Sequence, residues 1–338
     1  MKLNLEQIES VCQGAVRVVQ EDKYIRMYRF SEGQEKVYKE QKNESMYIKT
    51  YSTAGIKLMF KTDSTKLFLK VDVEYSSSRK YFSHDIFVNG KMIGNLDNFS
   101  DFVMPEGYTG VDLPVGEFSK EFSLGEGEKT VCIYFPWSVT SKIMELSIDD
   151  GAFVESVKPA KKMITFGDSI THGYDALRPS DRYAGRIAEA LGAEEINKAI
   201  GGEIFFPALA ESKDDFEPDY ITVAYGTNDW SHHDAESFNK NCRGFYKALS
   251  ENYPNAKIFA ITPIWRKDCD EDKPMGDFMN VDKYIKELTA DLDNVICITG
   301  LDFIPKEEKY FADFRLHPND VGFDFYFENL YKQIKLYI

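Results

Sequence analysis

Met163-Ile164-Thr165-Phe166-Gly167-Asp168-Ser169-Ile170-Thr171-His172-Gly173 is the stretch that decides the fold of the C-terminal half. A short run of apolar and β-branched residues ends abruptly in Gly-Asp-Ser, as a buried strand does when it enters a turn. The same texture recurs at residues 194–197, 220–224, 257–262 and 295–298. Between these runs the spacing becomes helical. Tyr183, Ile187, Ala188 and Leu191 share a face and Gly192 follows as a stop; Phe238, Cys242, Phe245, Tyr246 and Leu249 repeat the pattern. Residues 281–291 and 323–335 supply two more helices. Five short apolar strands joined by helices predict a parallel sheet covered on both faces.

Upstream the period is two. Lys66-Leu67-Phe68-Leu69-Lys70-Val71-Asp72-Val73-Glu74 alternates polar with apolar, as a half-buried strand should. His84–Val88, then Asn89-Gly90, then Lys91–Ile93 reads as a hairpin, because Asn-Gly accepts the positive φ angles of a type I′ turn. Further strands are expected at 24–30, 55–61, 130–135 and 143–148, with helical periodicity nearly absent after residue 20. Many strands and few helices predict an antiparallel β-sandwich, jelly-roll-like. The pattern breaks across residues 149–162, so the expected units are 1–155, a β-sandwich accessory domain, and 156–338, the βα domain.

The length of 338 residues agrees with two domains of ~150 residues each. Lys and Arg number 41 against 56 Asp and Glu, for a net charge of −15. Such a surface repels polyanions, which argues against nucleic acid and anionic membranes and leaves neutral or cationic ligands. No apolar run approaches the ~18–20 residues of a membrane span. The N-terminal residues MKLNLEQIESVCQG carry no export signal, which predicts a cytoplasmic protein. The five cysteines are scattered with no CxxC pair, and read as reduced, buried thiols rather than a disulfide or zinc framework. Homo-oligomerisation is left open.

The Gly167-Asp168-Ser169 turn stands where an open α/β sheet receives its ligands, outside the carboxyl end of a strand. It is not a P-loop, a dinucleotide-binding turn or a GxSxG elbow. Alone it is equally well a polar turn. Three further blocks follow in order: Asn197-Lys-Ala-Ile-Gly201-Gly202 after the second strand, Gly226-Thr227-Asn228-Asp229 after the third, and Leu316-His317-Pro318-Asn319-Asp320 before the last helix. With these four blocks, residues 160–335 resemble the SGNH, or GDSL, hydrolase family. The resemblance implies a flavodoxin-like three-layer α/β/α fold with a five-stranded parallel sheet, and a serine esterase mechanism without a cofactor or metal. It implies Ser169 as nucleophile and His317 as general base. The oxyanion donors it implies are the N–H of Ser169, the N–H of Gly202 (with Gly201 as the neighbouring candidate) and the side-chain amide of Asn228. Physically, a serine hydroxyl needs a base, and an acyl-transfer intermediate needs donors fixed around its oxyanion.

One block departs from the family. The acid three residues before the histidine is replaced by Phe314, and Asp313 lies four before. Offsets of three and four return to the same side of a turn-like segment, so Asp313 is the expected orienting acid. The alternative is a Ser–His dyad held by a backbone carbonyl. Asp168 reads as support for the loop. His172 is a candidate pocket residue or a surface residue at a helix start. His232 and His233 lack a third clustered metal ligand and read as loop residues. Trp230 and Trp265 follow strand ends, where an indole stacks on a sugar or simply packs. A β-sandwich ahead of an SGNH domain looks like the two-domain carbohydrate acetyl esterases, which implies acetylated xylan, mannan or their oligosaccharides as substrates. Other SGNH acyl hydrolases (lysophospholipase, arylesterase, thioesterase) are the alternative, and a glycan-binding protein without catalysis is a third reading.

Overall fold

Alternating burial shapes the N-terminal region of the computed structural model, which describes residues 1–338. Along Lys66–Tyr75, Leu67, Leu69, Val71 and Val73 are buried while the residues between them face outward. Eleven strands run through this region: β1 (Cys12–Gln13), β2 (Arg17–Glu21), β3 (Tyr24–Tyr28), β4 (Lys57–Thr62), β5 (Lys66–Tyr75), β6 (Ser83–Val88), β7 (Lys91–Asp97), β8 (Gly116–Ser123), β9 (Lys129–Tyr134), β10 (Val139–Ile148) and β11 (Glu155–Ser156). One antiparallel sheet has the order β1-β4-β9-β6-β7, with β11 paired to β4; the other has the order β2-β3-β10-β5-β8. Leu58, Phe60 and Ile133 of the first sheet pack with Leu69, Val71 and Ile143 of the second, so the region is a β-sandwich. Its β6–β7 hairpin turns at Asn89 and Gly90, both at positive φ.

Two helices correct the expectation that helix is nearly absent after residue 20. Glu32–Gln41 and Glu44–Lys49 are both helical. Ser31 and Gln34 form a reciprocal capping box at the start of the first. Its buried Tyr38 packs edge-on against Phe206, with ring centroids 5.5 Å apart. The helices belong to the seam with the C-terminal half, where Val37, Met46 and Tyr47 pack against its core. The polar edge strand β8 also escaped the alternation rule.

The second half adds β12 (Lys161–Gly167), β13 (Ala193–Asn197), β14 (Tyr220–Ala224), β15 (Lys257–Ile261) and β16 (Val295–Ile298). All pair in parallel, in the order β13-β12-β14-β15-β16. This is the flavodoxin-like order. Ile187 of the helix Tyr183–Ala190 and Leu330 of Asp320–Ile334 cover one face, packing with Met163 and Phe259. Phe245 of Ala235–Asn252 and Ile285 of Met279–Thr289 cover the other, packing with Ile164 and Val223. The order reverses around β12, so the ends of β12, β13 and β14 flank the crevice where such sheets bind ligands.

The two halves interlock. Gly14 N donates to Glu194 Oε1 at 2.8 Å and Lys57 Nζ meets Glu189 Oε1 at 2.6 Å. Arg178 donates to Ser83 Oγ at 2.8 Å and pairs with Asp97 at 3.1 Å.

Candidate active site

β12 delivers Ser169 at the start of a four-residue helix, Ser169–His172. Asp168 caps it, its Oδ1 accepting from Ile170 N at 2.9 Å. Asp168 is fully enclosed, and burial pushes its carboxyl up to about 7. Ser169 Oγ lies 2.8 Å from His317 Nε2. His317 Nδ1 lies 2.7 Å from Asp313 Oδ2. With the proton on Nδ1, His317 donates to Asp313 and leaves Nε2 free to accept the serine proton.

The loop around His317 explains how a four-residue offset reaches. Ala312 N donates to His317 O at 2.8 Å, and Phe311 bridges Pro318, so the segment closes on itself. Phe314 takes a left-handed φ of 57°. That turn lets Asp313 Oδ1 accept from the N–H groups of Arg315, Leu316 and His317 at 3.0, 2.7 and 3.0 Å. Burial alone would raise the Asp313 pKa; the hydrogen bond and charge of His317, with those backbone donors, outweigh it and hold the carboxyl well below its usual range.

The segment after β13 forms the opposite wall. Gly201 N donates to His172 Nδ1 at 3.1 Å, whereas the Gly202 N–H meets no protein acceptor. A Cβ on Gly201 would stand 2.5 Å from the Tyr174 ring, while Gly202, at φ +87°, opens on empty space. Asn228, in the first turn of the helix Thr227–His232 that follows β14, donates one Nδ2 hydrogen to Glu203 O at 2.9 Å and keeps a second. Arg29, enclosed in the seam, was missed from sequence. Its guanidinium donates to Asn197 O at 2.8 Å, Ala199 O at 3.2 Å, Ser52 O at 2.7 Å and Lys49 O at 2.9 Å. Lys49 Nζ in turn donates to Gly201 O at 2.7 Å. The N-terminal region thus braces the glycine loop.

Two expected substrate contacts are corrected. His172 is buried, with Nε2 against Ser52 Oγ at 2.7 Å and Trp137 O at 3.0 Å, so it supports the glycine loop instead of lining a pocket. Burial holds its pKa well below the ordinary histidine value. Trp230 is 0% exposed, donates Nε1–H to Gly276 O at 2.7 Å and packs on Phe278, so its indole belongs to the core and not to the rim. Trp265 is partly buried, edge-on to Phe311 at 5.5 Å. His232 and His233 turn toward Asn228 O and Asp229.

A family model described as GDSL-like Lipase/Acylhydrolase matches residues 165–325. The match lies wholly within the βα half of the chain, from β12 to the last helix. No curated protein sequence matches the chain. Among solved structures, a salicylyl-acyltransferase from a tetracycline biosynthetic pathway superposes with TM-score 0.76 at 18% identity, covering 96% of this chain and 94% of that one. A family two carbohydrate esterase from Cellvibrio japonicus gives TM-score 0.69 at 16% identity over 99% and 97%. An acetyl xylan esterase from the rumen bacterium Butyrivibrio proteoclasticus gives 0.63 at 14% over 99% and 98%. At these identities the likeness is one of fold, and it includes the sandwich as well as the βα half.

Proposed function

We propose that the chain is a serine esterase that removes O-acetyl groups from plant-type oligosaccharides or polysaccharides. The observation that carries this reading is the relay from Ser169 Oγ through His317 to Asp313, at 2.8 and 2.7 Å. His317 Nε2 takes the hydroxyl proton as Ser169 Oγ attacks the acetyl carbonyl. The tetrahedral oxyanion is received by the N–H of Ser169, the N–H of Gly202 and the remaining Nδ2 hydrogen of Asn228. One such donor is worth ~3–4 kcal/mol in an acyl-transfer transition state. The C–O bond to the sugar then breaks, and His317 returns the proton to the leaving hydroxyl. Water, deprotonated by His317, attacks the acetyl-enzyme and releases acetate, so the cycle consumes only ester and water.

Supporting features fit a neutral substrate. The net charge of −15 disfavours polyanions, and no helix is long and apolar enough to cross a membrane. The strand orders β3-β10-β5-β8 and β4-β9-β6-β7 support reading residues 1–155 as a jelly roll beside a hydrolase unit at 156–338. The proposed setting is the cytoplasm. A second reading, an acyl hydrolase for larger or aryl acyl groups, draws on Phe314, which is 41% exposed one residue after Asp313.

The test is acetate release from acetylated xylo- and manno-oligosaccharides beside p-nitrophenyl esters of increasing chain length. Highest kcat/KM on acetyl esters is expected, with activity abolished in Ser169→Ala. A maximum at octanoate or beyond favours the second reading. Full activity of Ser169→Ala ends both.

A further inference from the structure

We infer that Asp175, clamped by Arg79 and Tyr81 of the N-terminal region, is a second carboxylate that acts on His317 and positions it electrostatically. The inference rests on His317 being the base of the proposed esterase. Asp175 follows the short helix of Ser169 and takes a left-handed φ of 72°, unusual for a residue with a side chain. Such conformations persist where the surroundings over-determine them, and functional sites collect them. The clamp supplies that determination. Asp175 Oδ1 accepts from Arg79 Nε at 2.5 Å and from Tyr81 OH at 2.7 Å. Its Oδ2 accepts from Arg79 Nη2 at 2.8 Å, and its backbone carbonyl accepts from Tyr108 OH at 2.6 Å. All four donors come from the sandwich region.

The carboxylate thus held is wholly buried, and its Oδ2 lies 3.7 Å from His317 Nδ1. That is too long for a hydrogen bond, but buried charges at this range are felt strongly. His317 therefore faces two carboxylates through one nitrogen: Asp313, which takes the hydrogen bond, and Asp175, which does not. The other groups around it are Ser169, Asp168 across the turn after β12, and the Tyr174 ring, stacked at 5.9 Å and 30°. Arg79 lies over that same tyrosine ring at 5.2 Å. Burial works against the Arg79 charge; the hydrogen bonds and charge of Asp175 outweigh it and drive the guanidinium pKa up.

The pair divides two tasks. Asp175 stabilises the imidazolium that forms when Ser169 gives up its proton. Arg79 offsets most of that carboxylate's charge, so His317 can release the proton to the leaving alcohol. A base that held the proton too firmly would be slow in the second half of each step.

The test is the pH dependence of kcat/KM on a small aryl acetate, in the full-length protein. His317 works as a base only when neutral, so the acid limb follows its protonation. Arg79→Met leaves Asp175 unneutralised and is expected to move the limb ~0.5–1 unit to higher pH. Asp175→Asn leaves Arg79 uncompensated and is expected to move it ~0.5–1 unit to lower pH. Arg79→Lys restores a cation and returns the limb toward the parent position. Tyr81→Phe removes one hydrogen bond and leaves both charges, a mild change for use if the others fold poorly; a smaller upward shift is expected. A purely structural clamp would lower kcat or Tm with the limb unmoved. An unmoved limb, or shifts of one sign in Arg79→Met and Asp175→Asn, overturns the inference. Ser169→Ala run alongside separates the cases: its retained activity overturns the esterase reading itself, whereas an unmoved limb with inactive Ser169→Ala overturns only the role of Asp175.

Discussion

At the scale of single residues, Asp313 is where this chain departs from the pattern it resembles. Asp313 reaches His317 from four before because Phe314 turns left-handed. Its second oxygen is fixed by three backbone donors, so the carboxylate cannot swing away. Asp313→Asn is expected to lower kcat at least tenfold, toward the ~10⁴ that loss of an orienting acid can cost. Steady-state kinetics on an acetyl ester measure it, and a smaller loss returns the dyad reading. Asp175 bears on the outcome, since it remains near the same nitrogen. Asp313→Asn combined with Asp175→Asn is expected to fall below either single variant.

At the scale of elements, the loop from Asn197 to Glu203 is tuned by contact more than by composition. Gly201 and Gly202 look interchangeable in sequence, yet the first abuts Tyr174 and the second faces open space. Gly201→Ala must push a Cβ into that ring and disturb the stack on His317. Its kcat/KM is expected to drop by about 10²-fold, the order of losing one oxyanion donor. The strands behave differently under acid. His84 of β6 is buried between Leu96 O and Ser141 Oγ, and burial lowers its pKa to about 4. His172 is likewise held neutral. The unfolded chain takes up these protons near pH 6.5 and the folded chain does not. Stability is therefore expected to fall as pH drops from about 6.5 toward 4, at up to ~1.4 kcal/mol per pH unit for each histidine. Urea unfolding at pH 7 and pH 5 measures this, and His84→Gln should shrink the difference.

The elements also mark what sequence could tell. The period-two strands, the Asn-Gly hairpin and the βα alternation were legible, because each is written within about ten consecutive residues. The strand-end positions of Ser169, Gly202 and Asn228 were legible for the same reason. The helices Glu32–Gln41 and Glu44–Lys49 were not, because their stabilising surface lies on the other half of the chain. A readable trace existed in Ser31-x-x-Gln34, a capping box. Arg29, Arg79 and Asp175 left no such trace, since each meets its partners only after the two halves dock.

At the scale of the whole molecule, the seam carries the burden of organising the site. Arg29 is enclosed and spends its guanidinium mainly on uncharged carbonyls on both sides of the seam. Burial without a direct carboxylate partner lowers its pKa to about 9. Arg29→Met removes the donors and strips the carbonyls of Ser52, Asn197 and Ala199 of their guanidinium partner inside the seam. A loss of at least ~3 kcal/mol in unfolding free energy is expected, at ~1–3 kcal/mol per stranded group. Urea denaturation and kcat should fall together, because the carbonyls of Asn197 and Ala199 lead directly into the glycine loop. This seam also governs how such a chain can change over generations. A recombination event near residue 155 that exchanged the sandwich for a different module would leave Ser169, His317 and Asp313 in the reading frame, yet it would remove Arg29, Lys49, Arg79, Tyr81 and Tyr108 at one stroke. Such an exchange is expected to keep the catalytic residues while leaving the glycine loop and Asp175 without the side chains that brace them.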